Sequence, residues 1–83
     1  MGYIYALQSK ANGRIYVGQT NDINKRLHCH NEGYVKSTSA DRPWELMALE
    51  KIESVSQARW KEKELKKSLG KRIKWLEQKR LNK

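Results

Sequence analysis

Two short runs of aromatic and β-branched residues, Tyr3 to Leu7 and Arg14 to Val17, flank the dipeptide Asn12-Gly13, and this restricts the fold more than any other feature. Such runs favour extended backbone and Asn-Gly favours a tight reversal, so the segment predicts a β-hairpin. A two-residue turn there sets position 7 opposite 18 and position 9 opposite 16, which puts Tyr3, Tyr5, Tyr16 and Gly18 on one face. With 83 residues in all, the expectation is a single domain over 1–83 with one core and one site.

Beyond the hairpin, Gln19-Thr20-Asn21-Asp22 offers N-cap side chains for a first helix, and Gly33 is placed to stop it. Trp44 to Ile52 follows Pro43 and reads as a third antiparallel strand, although its alternation is imperfect. Ser54 or Ser56 can cap a second helix reaching about Leu69, with Gly70 ending it. Lys71 to Leu81 then repeats an apolar spacing through Ile73, Leu76 and Arg80. The expected class is α+β, a small three-stranded antiparallel sheet flanked by three helices in the order ββαβαα.

Charge narrows the partners. Eighteen Lys and Arg against nine Asp and Glu give a formal net charge of +9, a positive field that favours polyanions, nucleic acid first among them. The lone Cys29 can form no internal disulfide and supply no structural zinc site, which fits a reducing cytoplasm. Neither the start, Met1-Gly2-Tyr3-Ile4-Tyr5-Ala6, nor any later run has the pattern of a signal peptide, a myristoylation site or a membrane span. A cytoplasmic protein without a membrane partner is expected.

Polar residues that land on inward faces carry the functional signal. In the first helix Ile23 and Leu27 define the inner stripe and Arg26 and His30 flank it, while Lys25 and His28 point away. In the second, Ala58, Leu65 and Leu69 share a narrow arc that contains Glu62, with Glu64 opposite. An inward carboxylate is costly unless neutralised, and Lys66, four residues on, offers a helix-surface partner. Each residue has a structural reading: Glu62 could pair with Arg26, the tyrosines could be core aromatics, and His28-Cys29-His30 diverges around a helix rather than converging on a metal. Their conjunction in a small basic domain is what points to a site.

Tyr3-Ile4-Tyr5, then Tyr16-Val17-Gly18, then Arg26-Leu27 and His30 resemble the motifs of the GIY-YIG nuclease family. The likeness continues through Gly18-Gln19-Thr20-Asn21-Asp22, Pro43-Trp44-Glu45-Leu46 and Ala58 to Lys67, and so involves nearly the whole chain, as in small stand-alone members resembling the UvrC N-terminal domain. Tyr3 stands where the family has glycine and Val17 where it has isoleucine. Asn82 is the one counterpart to a late asparagine of longer relatives and is given no role; no DNA-targeting module is expected after the third helix.

The resemblance implies a divalent-metal-dependent endonuclease acting on DNA, with repair intermediates or branched DNA as substrates. It carries catalytic roles to Tyr5, Tyr16, Arg26, His30 and Glu62, with Glu62 the ligand of one Mg²⁺ or Mn²⁺ ion. Tyr16 is the expected general base, Arg26 the phosphate contact, and Tyr5 and His30 the orienting groups. Lys66, Lys67, Lys71 and Arg72 are the expected nucleic-acid-binding residues, and the active unit is expected to be a monomer. Two other readings stand beside it: a non-catalytic nucleic-acid-binding module of the same fold that stacks bases on its tyrosines, and a protein adaptor built on the basic last helix with Trp75.

Overall fold

The computed structural model describes residues 2–81, Val55 by its backbone alone; Asn82 therefore lies outside the described residues. The elements are β1 (Gly2–Ser9), β2 (Ile15–Thr20), α1 (Ile23–Asn31), β3 (Trp44–Ile52), α2 (Val55–Lys67) and α3 (Leu69–Lys79), with a 3-10 turn at Ser39–Asp41 before β3. The sheet is antiparallel in the order β2-β1-β3, so the first strand is central and the order ββαβαα holds.

The hairpin differs from expectation in register. Leu7 pairs with Tyr16 and Tyr5 with Gly18, because the reversal is a longer loop between the Gln8–Ile15 pair rather than a two-residue turn. Ser9 causes this: its hydroxyl accepts from the amides of Ala11 and Asn12 and donates to the Asp41 carbonyl at 2.6 Å, holding the loop open against the 3-10 turn. The offset is two residues, and side chains alternate with period two, so Tyr3, Tyr5, Tyr16 and Gly18 still share a face.

The sheet separates two apolar clusters. Ile4, Ala6, Val17, Ala48 and Ile52 face α2 and α3, where Ala58, Leu65, Trp75 and Leu76 close the main core. Tyr5, Leu7 and Trp44 face the other way and pack with Tyr16, Ile23, Leu27, Leu46 and Leu49. A bulge opposite Ala6 and Leu7 explains the irregular alternation of β3: its inward residues are even-numbered before the bulge, Trp44 and Leu46, and odd after it, Leu49. The segment after α3 runs past that bulge, with the Leu81 amide donating to the Met47 carbonyl.

Local caps mostly follow the sequence. Asp22 accepts from the Lys25 amide, Ser54 from that of Gln57, and Gly33 follows the last turn of α1 at φ 81°, a left-handed position that glycine fills without strain. The break between α2 and α3 differs. Gly70 lies inside α3, and Ser68 makes the break: its amide donates to Glu64 and its side chain accepts from Lys71. One residue is thus the C-cap of one helix and the N-cap of the next, which moves Leu69 off the α2 arc and leaves it exposed. Of the apolar residues expected on α3, Leu76 is buried whereas Ile73 is exposed, and Trp75 fills the core.

Candidate active site at the edge of the sheet

Tyr5 stands on the central strand directly across from Gly18, and that glycine makes room for it. A methyl group at position 18 would sit 2.6 Å from the Tyr5 hydroxyl and 3.1 Å from the Tyr16 ring. Tyr5 is almost wholly buried, as are His30 and Thr38. His30, expected on the flank of α1, is in fact its buried residue, because both its ring nitrogens find partners inside.

Those partners fix the direction of each hydrogen bond. Thr38 donates its hydroxyl proton to the Val35 carbonyl, so its oxygen accepts from His30 Nδ1–H at 2.8 Å. His30 Nε2 is then bare and accepts from the Tyr5 hydroxyl at 3.1 Å. The Tyr5 oxygen accepts in turn from Arg26 Nε–H at 3.3 Å. A relay therefore runs Arg26 to Tyr5 to His30 to Thr38 to Val35, with every proton used once.

Electrostatics agree with this assignment. Burial pushes the Tyr5 phenol up to about 12 against the lowering influence of its Arg26 hydrogen bond. Burial, helped by the Arg26 charge, pulls the His30 imidazole down to about 4. Near neutral pH Tyr5 is a protonated phenol and His30 is neutral, and both are held by hydrogen bonds rather than free to exchange protons. Arg26, whose own charge is reinforced first by the Tyr5 hydrogen bond and further by Tyr16, is only partly buried.

Tyr16 lies beside this relay on the edge strand, with its ring centroid 5.0 Å from His30 and 6.3 Å from Tyr5. The α2 helix packs on β1 and β2 from the opposite face, and Lys66 reaches around the edge to place its ammonium 5.3 Å from the centre of the Tyr16 ring. The same ammonium is 3.2 Å from Glu62 Oε1. The Glu62 side chain is 20 % exposed, and its charge is felt at Tyr5, where it raises the phenol further. The five expected catalytic side chains thus meet at one edge: Tyr5, Arg26 and His30 in one relay, and Tyr16 joined to Glu62 through Lys66.

Around Glu62 the surface is a shallow basin of about 440 Å³ lined by Arg59, Lys63, Lys66 and Lys67, four cations about one carboxylate. The expected nucleic-acid residues are divided by this arrangement. Lys66 and Lys67 line the basin, whereas Lys71 lines a second groove of about 280 Å³ between α2 and α3 and pairs with Glu64 at 3.6 Å. Arg72 is half-buried on α3.

Several contributors carry no sequence signal of their own. Thr38 sits in a loop between elements, fixed by Trp44, whose indole donates to the Thr38 carbonyl, and by Asn31, whose amide pairs with both backbone groups of Trp44. Glu50 on β3 accepts from the Trp75 indole at 2.6 Å and pairs with Lys61 at 2.9 Å, tying both long helices to the sheet. Burial raises its carboxyl, but Lys61 and Trp75 outweigh this and leave it below the usual range.

A UPF0213 protein of Bacillus velezensis is 38% identical over 98% of this chain and 83% of its own length, and one of Staphylococcus saprophyticus is 38% identical over 77% and 78%. A UPF0213 protein of Bacillus pumilus is 51% identical over a shorter stretch, 53% of this chain and 45% of that protein. No solved structure matches the chain significantly. Residues 1–80 match the GIY-YIG catalytic domain, a family of endonucleases, and together with the strand order and the converging tyrosines this shows that the chain belongs to the GIY-YIG family.

Proposed function

We propose that this protein is a divalent-metal-dependent endonuclease that hydrolyses DNA phosphodiester bonds at the edge of its sheet. The observation that carries the reading is the Lys66 ammonium, which touches both the Glu62 carboxylate and the Tyr16 ring and so marks a place where a cation, a carboxylate and a phenol adjoin. Hydrolysis of a phosphodiester needs an activated water, charge relief on the phosphoryl oxygens and in-line geometry, and the residues divide these tasks.

Arg26 is the phosphate contact, with a permanent charge whose direction is set by its bond to Tyr5. Tyr16 is the candidate base toward water: it is only half-buried, whereas the Tyr5 hydroxyl is committed to His30 and bound too tightly to its proton. Tyr5, His30 and Thr38 act as a positioning chain. Glu62 fits one hard cation. Glu62 is the one carboxylate among the residues lining the basin, and a single carboxylate suits an ion that keeps most of its water, Mg²⁺ or Mn²⁺. When bound there, such an ion supplies Lewis-acid relief of charge on the scissile phosphate.

Arg59, Lys63 and Lys67, added to Lys66, extend the basin into a track for flanking phosphates. In the alternative of a passive module that stacks bases on its tyrosines, Tyr5 could take no part, since that ring has no open face. No helix is long and apolar enough to cross a membrane among the described residues, and a monomer acting on repair intermediates or branched DNA in the cytoplasm completes the reading. Incubation of supercoiled, nicked, branched and single-stranded DNA with Mg²⁺ or Mn²⁺ tests it: wild type cuts, and Glu62→Ala and Tyr16→Phe do not.

A further inference from the structure

We infer that Lys66 is a substrate-operated latch on the Glu62 carboxylate, so that the divalent ion and the nucleic acid load together rather than independently. The inference rests on the reading of Glu62 as the metal seat. It goes further by giving Lys66 a second task beside gripping phosphate, that of holding the Glu62 carboxylate until substrate arrives.

Three observations meet at this side chain. Its ammonium is 3.2 Å from Glu62 Oε1, so the anionic seat already holds a positive group in the free protein. The carboxylate side chain is only 20 % exposed, which leaves little of it open to an ion while the ammonium stays. The lysine also lies across the Tyr16 ring at 5.3 Å, a second attraction that keeps it at the site when it lets go of Glu62. An ordinary Glu-Lys pair at this helical spacing would have the first contact without the third.

Competition follows from charge. A divalent ion and an ammonium repel one another at this range and seek the same oxygen atoms, so the lysine lowers the metal affinity of the free protein. The pair is still a weak one, partly in water and on a helix surface, and can be opened. A phosphodiester entering the basin of Arg59, Lys63 and Lys67 offers the ammonium another anion. Lys66 then turns from Glu62 to the backbone phosphate, its stem still against Tyr16, and the seat becomes free when substrate is present. Binding of either ligand thereby favours the other, and the coupling is reciprocal. The site is thus protected from a resident ion in the absence of substrate.

Mn²⁺ titration followed by electron paramagnetic resonance tests this without reference to cleavage. Lys66→Met keeps a long apolar stem over Tyr16 and removes the charge; Lys66→Gln is a second variant that keeps polarity, and thermal melts establish that both fold. Without nucleic acid, both variants are expected to bind Mn²⁺ roughly tenfold more tightly than wild type. In a Tyr16→Phe background, which keeps the ring and prevents cutting, a short DNA duplex is expected to raise the Mn²⁺ affinity of the Lys66 protein severalfold and that of the Lys66→Met protein less. Equal Mn²⁺ affinity in wild type and both Lys66 variants would overturn the latch while leaving Glu62 as the seat. Unchanged Mn²⁺ binding in Glu62→Gln would overturn the seat itself, and the latch with it.

Discussion

Tyr5 and His30 face each other inside the core, hydroxyl to Nε2 at 3.1 Å, and the imidazole is locked from behind by Thr38 at 2.8 Å. The histidine is a fixed acceptor, and the phenol it holds is aimed back at Arg26. A buried polar chain of this kind is stable only when every member is satisfied, and no buried side-chain nitrogen or oxygen lacks a partner among the described residues.

Thr38→Val breaks the far end of the chain. The valine has nearly the same shape but leaves His30 Nδ1–H without an acceptor, so stability is expected to fall by about 1–3 kcal/mol in urea melts. Cleavage is expected to slow with DNA affinity little changed, because Thr38 acts through Tyr5 and touches no phosphate. Thr38→Ser, which keeps the hydroxyl, is expected to restore most of both.

Acid destabilises the fold through His30. The unfolded imidazole titrates near 6.5 and the folded one near 4, so between these values the unfolded chain binds more protons and stability rises with pH. The contribution is fully present above about 6.5 and is lost as pH falls toward about 4, an effect on the order of 3 kcal/mol. Urea melts at pH 7 and pH 4.5 measure it, and His30→Gln is expected to flatten the slope over that window. Glu50, depressed by Lys61 and Trp75, adds loss in the same direction at lower pH.

Gly18→Ala tests the clearance beneath Tyr5. The added methyl meets the phenol rim and the Tyr16 ring, neither of which can swing away as a flexible chain could. A cost of about 1–3 kcal/mol is expected from overpacking, together with a loss of cleavage larger than the loss of stability explains. Melting temperature and single-turnover rate, measured on the same preparation, separate the two.

Glu50→Gln loosens the attachment of α2 and α3 to the sheet. The Trp75 indole keeps an acceptor, but Lys61 loses its counter-charge, so about 1 kcal/mol of stability is expected to go, reduced by the partial exposure of the pair. Because Lys61 is the neighbour of Glu62 in α2, hydrogen exchange in that helix is expected to rise first.

How far the sequence could be read depended on the range of each interaction. Local signals sufficed for the hairpin, for the caps at Asp22 and Ser54, and for the order of elements. The error in hairpin register did no harm to the site, since an even offset preserves faces. The helix break expected at Gly70 falls at Ser68 for a local reason too: a serine that ends one helix and starts another looks like an interior residue, and the nearby glycine looks like the break. The burial of His30 and Thr38 has a longer-range origin. Apolar periodicity cannot identify a buried polar pair, because what permits their burial is each other and a tyrosine 25 residues away. The spacing of Glu62 and Lys66 was legible, but the reach of Lys66 around β2 to Tyr16 exists only after the sheet and α2 have packed.

Single-turnover cleavage of supercoiled plasmid by wild type and Glu62→Gln, at matched protein and saturating Mg²⁺ or Mn²⁺, tests the central claim most directly. The account predicts that the glutamine variant binds DNA at least as well as wild type, having lost a negative charge from the basin, yet cuts more slowly by about 100-fold or more. Equal cutting by the two proteins would contradict it.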